Sequence, residues 1–184
     1  MEIRWLTADD ASAYWQIRLE ALERDPGAFG ASPEQHRALT LTDIATRLGS
    51  DPANNFVAGA FDGERLVGTA GFYRNQGIKE RHKGHVWGVY VASEVRGQGV
   101  GRRMMRAVLD RAATVDGVEQ ILLAVAKPQE AAMRLYRSLG FASFGCEPRA
   151  LKIGDGYVDE EHMVFYLRRQ DSGSGRGASN RGTK

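Results

Sequence analysis

The chain has 184 residues, of which 42% are hydrophobic and 26% are charged, an ordinary composition for a soluble globular protein. This length favours a single domain with one core. The formal net charge is +2, but residues 171–184 hold three of the 25 basic residues and one of the 23 acidic ones. The remaining residues carry 22 of each sign, so their net charge does not indicate a nucleic-acid-binding face.

Cysteine content and hydrophobic runs narrow the class of protein further. Cys146 is the only cysteine, which excludes an intrachain disulfide and a thiolate metal cluster. We expect it to be a small core residue rather than a nucleophile. The first residues contain no apolar run typical of a secretory signal, and no run is long enough for a transmembrane helix. The sequence therefore predicts a cytoplasmic protein that binds no metal.

The first third of the chain predicts one short strand followed by helices. Residues 2–6 are expected to form the strand, and Thr7 with Asp10 has the spacing of a capping box. The helix that follows is expected to run to about Arg24, where Asp-Pro-Gly stops it. A second helix is predicted to start at Ser32 and Pro33, and a further helical segment covers residues 42–48.

A β-hairpin is predicted next. Residues 56–61 and 65–73 are predicted to form its two strands, joined by a turn at 62–64. Residues 75–83 form a polar loop whose basic side chains are expected to be solvated. These elements place no catalytic group by themselves.

The central stretch contains a strand, a glycine-rich turn and a helix. Residues 85–92 predict a buried strand, and apolar residues from Val100 to Ala112 recur at helical spacing. Between them, Gly97, Gly99 and Gly101 leave backbone N–H groups free to approach an anion at the positive end of the helix dipole. The spacing matches neither a P-loop nor a Rossmann fingerprint. Either a phosphate-binding turn or a turn that only permits close packing fits these residues.

The last third of the chain predicts further strands and one more helix. Residues 119–126 predict a buried strand, and a helix opens at Pro128 and closes at Gly140. Residues 141–147 are expected to form a strand, and 149–152 and 163–167 a closing antiparallel pair around the turn at 154–156. We expect one domain over residues 1–168 and a disordered Gly/Ser-rich tail over 169–184.

Two motifs carry a family resemblance. Residues 96–101, Arg-Gly-Gln-Gly-Val-Gly, resemble the R/Q-x-x-G-x-G/A signature of the GNAT superfamily of N-acetyltransferases. Residues 132–141 resemble the family's A-x-x-L-Y-x-x-L-G-F segment, and every place in it is filled. Both motifs occur in the family's order, with one helix and one strand between them. The resemblance extends over residues 1 to about 168 and is weakest before residue 55.

The resemblance implies an α/β (α+β mixed) fold with a mostly antiparallel mixed sheet, a splayed pair of parallel strands and helices on both faces. It also implies acetyl-CoA as co-substrate, held between the splayed strands. Gln129 stands where the family often has Asn, and it would contact the pantetheine arm. The other cofactor-binding residues that it implies are Tyr90, Val91, Ala92, Arg96, Gly97, Gln98, Gly99, Val100, Gly101, Arg102 and Tyr136.

The implied reaction is direct attack of a primary amine, from a small molecule or peptide, on the thioester. Tyr136 matches the family's usual proton donor to the departing thiolate. Glu147 is the first candidate for the general base, and Glu94, His85 and Glu34 are alternatives. The acidic run 159–161 would attract a cationic amine or form a solvated turn.

Other functions remain open at this level. A non-catalytic acyl-CoA sensor or interaction module would use the same fold. A nucleic-acid-binding protein would rest on the tail and the basic residues of 79–83, although we expect neither a nucleic-acid nor a membrane partner. A homodimer is compatible with the resemblance. The amine acceptor depends mainly on residues 26–47, 75–83 and 147–162, and a fold alone does not identify it.

Overall fold

The computed structural model describes residues 1–167. Its strands are β1 (Glu2–Trp5), β2 (Asn55–Asp62), β3 (Arg65–Arg74), β4 (Lys83–Val91), β5 (Gln120–Ala126), β6 (Ala142–Ile153) and β7 (Gly156–Tyr166). Its α-helices are α1 (Ala11–Arg24), α2 (Pro33–Arg37), α3 (Leu41–Gly49), α4 (Val100–Ala112) and α5 (Glu130–Leu139). Short 3-10 turns precede α1, follow it at Pro26–Ala28, and follow β4 at Ser93–Val95.

The strands form one sheet in the order β1-β2-β3-β4-β5-β7-β6. All neighbours are antiparallel except β4 and β5, which are parallel. A parallel pair needs a crossover connection, and α4 supplies it between these two strands. The predicted mixed sheet with one parallel pair is therefore confirmed.

Helices cover both faces of this sheet. A Cβ added to Gly68 of β3 would lie 2.8 Å from the Met104 side chain of α4, whereas one added to Gly71 would lie 2.4 Å from the Trp87 side chain. Residues three apart on a strand point to opposite faces, so α4 packs on one face and Trp87 lies on the other. Helix α1 packs against α2, α3 and β3. The core contains large buried side chains from both layers, including Phe72, Met104 and Met105.

Local signals set the helix ends. Asp10 accepts a hydrogen bond from the Thr7 backbone N–H at 2.8 Å, as the capping-box spacing predicts. Ser32 and Gln35 form a second capping box at α2. Gly140 ends α5 at a φ of 102°, a left-handed conformation that favours glycine.

The final hairpin differs from the sequence prediction. The two expected strands at 141–147 and 149–152 are one strand, β6, interrupted by an irregularity between Glu147 and Leu151 where Arg149 has a φ of 57°. Strand β7 begins at Gly156, so the acidic run 159–161 lies inside a strand and not in a turn. Asp159 has two partners there: the Arg149 backbone N–H donates to its carboxylate at 2.9 Å, and Nζ of Lys127 lies 3.4 Å from it.

Cys146 is a second correction. It lies on β6 and is exposed, so the expected core position is wrong. Strand β6 is an edge strand of the sheet, and most of its residues are exposed. The tail expected over 169–184 lies outside the described residues.

Candidate active site

The parallel strands β4 and β5 separate like a fork. They pair only at Lys83 with Gln120, Gly84 with Ile121 and His85 with Leu122. Beyond these positions β4 runs on to Val91 and β5 to Ala126, each still bonded to its outer neighbour, β3 or β7. The inward backbone groups of both strands therefore face a gap, as the predicted splayed pair requires.

A cleft of about 460 Å³ occupies this fork. Its walls are the inner parts of β4 and β5, the glycine turn (residues 96–102) and one side of α5. The glycine turn and α5 each hold one of the two sequence motifs. The cleft-lining residues that the sequence had singled out are Tyr90, Val91, Arg96, Gly97, Gly99, Val100, Gly101, Arg102, Gln129 and Tyr136.

The glycine turn stands at the mouth of the cleft. Gly97 and Gly99 have φ values of 79° and 74°, which explains why glycine occupies both positions. A Cβ at either residue would meet no heavy atom within 4 Å, so open space lies in front of the turn. Helix α4 begins at Val100 and directs its positive end towards this space. Gly101 packs closely, because a Cβ there would lie 3.4 Å from Leu135.

Two arginines flank the turn and are held in place. Arg96 donates from Nε to the Val91 carbonyl at 2.8 Å and from Nη2 to Asp25 at 2.7 Å. Arg102 donates to the Ser138 hydroxyl of α5 at 2.8 Å. Both guanidinium groups keep further N–H donors for an anion.

Tyr136 lies on α5 and lines the cleft, with 6% of its surface exposed. Its ring packs against Phe141 at a centroid distance of 6.0 Å. Within residues 1–167 its hydroxyl has no hydrogen-bond partner, and burial raises the pKa of that hydroxyl above its ordinary value near 10. At neutral pH Tyr136 is therefore a protonated donor facing the cleft.

Tyr90 has a different role in the structure from Tyr136. Its hydroxyl donates to Glu20 of α1 at 2.9 Å, and burial raises its pKa to about 12. Only the backbone of Tyr90 is therefore in a position to serve a ligand in the fork. Its phenol joins β4 to α1.

Three predicted site residues do not line the cleft among the described residues. Ala92 follows β4 and donates its N–H to Val67, which removes that donor. Gln98 is exposed in the glycine turn and is not among the residues that line the cleft. Glu147 lies on exposed β6, with its carboxylate 3.0 Å from His162.

The alternative bases also have other partners. Glu94 pairs with Arg65 at 2.5 Å, and the His85 ring stacks on Tyr73 at 4.9 Å. Burial lowers the pKa of His85. Glu34 lies in the first turn of α2 and is exposed.

Sequence reasoning missed several residues around the cleft. Asp25 and Phe29 come from the segment that joins α1 to α2, and Trp87 comes from β4. The sequence identified 26–47 as a specificity region, but it gave no sign that Ala28 and Phe29 at its start line the cleft. Long-range packing decides that placement.

The chain matches the family model for the acetyltransferase (GNAT) family over residues 11–141. The chain belongs to this family. It is an acetyl-CoA-dependent N-acetyltransferase, which confirms the resemblance read from the two motifs. Its mixed sheet with the parallel β4–β5 pair is the GNAT fold.

Two curated proteins illustrate the sequence relationship. The chain is 35% identical over 124 residues to N-alpha-acetyltransferase RimI of Mycobacterium tuberculosis, covering 67% of this chain and 70% of that protein. It is 34% identical over 119 residues to mycothiol acetyltransferase of Kocuria rhizophila, covering 62% of this chain but only 39% of that protein.

Solved structures show the same fold at low sequence identity. A GNAT acetyltransferase from Streptococcus pneumoniae aligns with a TM-score of 0.80 and 20% identity, covering 90% of this chain and 99% of that one. A phosphinothricin acetyltransferase from Sinorhizobium meliloti, solved with acetyl-CoA, aligns with a TM-score of 0.78 and 19% identity, covering 100% and 93%. Within residues 1–167 of the present chain, the helices are too short or too polar to span a bilayer.

Proposed function

We propose that this N-acetyltransferase binds acetyl-CoA in the fork between β4 and β5 and transfers the acetyl group directly to a primary amine of a small molecule or peptide. The fork itself is the observation that carries the proposal. Two strands with free inward edges meet a glycine turn at the open end of the same cleft. An extended chain with a phosphate at one end matches this arrangement.

The chain's own groups fit the two ends of such a ligand. The turn offers open space in front of Gly97 and Gly99, the positive end of α4, and the guanidinium groups of Arg96 and Arg102. The free edge of β4 offers N–H and carbonyl groups to an amide-containing arm, as an added strand would use them. Gln129 lines the same cleft from the start of α5.

Acetyl-CoA supplies the thioester carbonyl on which the amine acts. Backbone N–H groups along the fork are suited to stabilise charge on that carbonyl oxygen, and one well-placed donor is worth about 3–4 kcal/mol. We assign Tyr136 as the donor to the leaving sulfur. A phenol near pKa 10 is already a weaker acid than a thiol near 8.5, and burial weakens it further. Tyr136 therefore acts by hydrogen bonding at least as much as by full proton transfer.

Calorimetric titration with acetyl-CoA tests the site, with ATP and NAD as controls. We expect micromolar affinity for acetyl-CoA and much weaker binding of both controls, because only acetyl-CoA combines the pyrophosphate with an arm that fills the fork. Thiol release in the presence of amines then tests transfer. A folded protein that binds none of these ligands would contradict the proposed site, and one that binds acetyl-CoA but acetylates no amine would contradict the proposed reaction.

A further inference from the structure

A second cavity of about 510 Å³, which we call the side cavity, lies between the helices α1–α3 and strands β2 and β4. Trp87 borders both the side cavity and the cleft, so the two spaces are neighbours. Polar residues that line the side cavity include Tyr14, Arg18, Gln35, Arg47, Asn55 and Trp87.

Arg18 stands at the junction of the two spaces. Its guanidinium lies 4.5 Å from the centre of the Phe29 ring, and its Nη1 lies 3.6 Å from the position that a Cβ on Gly88 would take. Phe29 and Gly88 both line the cleft. Arg18 therefore places a permanent positive charge beside the fork and inside the side cavity.

One hydrogen-bond donor of this guanidinium has no acceptor within residues 1–167. Nη1 of Arg18 is buried and makes no hydrogen bond within residues 1–167. Nε1 of Trp87, which also borders the side cavity, is buried and unpaired in the same way. Both atoms can only donate, and buried donors without acceptors are destabilising. An acceptor group on a bound ligand would satisfy a donor of this kind.

The charge around the cavity favours an anion. No aspartate or glutamate is among the residues that line it in the described part of the chain. Arg47 adds a second cation, and the acid that acts on it is Asp43, an exposed residue one helical turn earlier on α3. His36 donates from Nε2 to the Trp15 carbonyl at 2.9 Å, and burial lowers its pKa, so it is neutral near pH 7.

We propose that the side cavity binds the carboxylate of the acceptor, so that the substrate is a free amino acid or a similar small amine that carries a carboxylate. Arg18 is suited to the carboxylate because a guanidinium donates two parallel hydrogen bonds to it. Ile44, Leu48 and Val57 line the same cavity and would contact an apolar side chain. This inference rests on the proposed function, because it concerns the acceptor of the same acetyl transfer.

The reaction balances without a further reactant. The neutral amine forms the new N–C bond as the C–S bond of the thioester breaks. One amine proton leaves through solvent, and one proton reaches the thiolate, giving the amide and the free thiol. The carboxylate stays ionised throughout and serves only to position the amine beside Trp87 and Gly88.

The test compares each amino acid with its primary amide. An amide keeps the amine and the side chain but replaces the carboxylate by a neutral group, as the N-terminus of a peptide does. Thiol release is measured first with the common L-amino acids and then with the amides of the best ones. We expect kcat/KM to favour the acid about tenfold or more.

Variants link this preference to the side cavity. Arg18→Gln is expected to raise KM for the acid about 10- to 100-fold and to leave the amide nearly unaffected, so the preference disappears. Trp87→Phe removes the second donor but keeps an aromatic ring, and we expect a smaller rise in KM for the acid. Arg134→Gln removes an exposed guanidinium of α5 and is the matched control, with unchanged kinetics.

Acetyl-CoA calorimetry on each variant separates the outcomes. If the wild-type protein does not bind acetyl-CoA, the proposed function itself is contradicted. Two results would overturn the carboxylate assignment alone, provided that acetyl-CoA binds normally. One is that amides are acetylated as well as the acids, and the other is that no amino acid is acetylated. If Arg18→Gln lowers kcat/KM equally for the acid and the amide, the carboxylate assignment is also overturned. If Arg18→Gln does not fold, the same result in Trp87→Phe would overturn it.

Discussion

Nη2 of Arg96 lies 2.7 Å from Oδ2 of Asp25, and this ion pair joins the glycine turn to the end of α1. The same guanidinium donates to the Val91 carbonyl, at the open end of the fork. Asp25 is also the C-cap residue of α1: its backbone N–H makes the last helical bond, to the Ala21 carbonyl, and its own φ of −126° departs from the helix. Arg96 therefore connects the end of β4, the glycine turn and the end of α1.

This relationship predicts energetic coupling between the two residues. We expect Asp25→Ala and Arg96→Ala to be non-additive in the free energy of unfolding, with a coupling of about 0.2–1 kcal/mol, because both side chains are partly exposed. Urea unfolding of both single variants and the double variant at low and high salt measures it. Additive effects at low salt would show that the pair adds no stability.

The glycine turn permits a test that separates strain from ligand contact. Gly99 and Gly154 have φ values of 74° and 57°, and a Cβ at either would meet no heavy atom within 4 Å. Alanine at either position should cost about 1–2 kcal/mol of stability, because a left-handed conformation is strained for a residue with a Cβ.

Only the first substitution should weaken acetyl-CoA binding. A methyl group at Gly99 would occupy the open space in front of the turn, and we expect the Kd for acetyl-CoA to rise about tenfold or more, as the loss of one charge-assisted hydrogen bond would produce. Gly154 lies in the β6–β7 turn, and Gly154→Ala should bind as the wild type does. Equal affinities for both variants in calorimetry would remove the turn from the proposed site.

The sequence predicted the elements that depend on local signals. The glycine turn at 97–101 and the end of α5 at Gly140 follow from backbone conformations that only a few residues adopt. The parallel fork followed from the family resemblance, which needs only two short motifs. The turn and the helix end were predictable because their causes lie within a few neighbouring residues, whereas the fork was predictable only through the resemblance.

Other features depend on distant contacts, and the sequence could not reveal them. Arg18 occupies the inner side of α1, where periodicity favours apolar residues and a charged residue is expected outside. Its burial depends on Phe29 and Gly88, which come from a loop and from a strand seventy residues away in the sequence. The acidic run 159–161 was mispredicted for the same reason, because the partners of Asp159 are a backbone N–H of β6 and Lys127 of the β5–α5 connection.

Asp10 predicts a pH dependence of stability. Its carboxylate bonds to Arg4 and to the Thr7 N–H, and the hydrogen bond from Arg4 is the main reason that its pKa lies below 3.8. A lowered pKa stabilises the fold above the unfolded value of about 3.8, and this contribution is lost as the pH falls through the folded value. Asp10→Asn should therefore cost about 1 kcal/mol at pH 7 and progressively less below pH 4.

Urea unfolding of Asp10→Asn and the wild type between pH 2.5 and pH 7 measures this difference, with pH steps of about half a unit. Glu64→Gln, at the exposed β2–β3 turn, serves as the control and should not change the pH profile. A constant difference at all pH values would mean that shape, and not the charge of Asp10, supports the start of α1.

Tyr136→Phe tests the assigned donor while keeping the ring that packs on Phe141. We expect kcat to fall about 100-fold, the lower end of what a positioned proton donor contributes, with the Kd for acetyl-CoA unchanged. Tyr166→Phe changes an exposed tyrosine of β7 and should keep full activity.

Because burial raises the pKa of Tyr136, its hydroxyl stays protonated up to at least about pH 10, and it should not produce an alkaline decline in wild-type kcat below that pH. If Tyr136→Phe keeps the wild-type kcat, this tyrosine is a packing residue. If kcat and the affinity for acetyl-CoA both fall, the substitution has altered the cleft.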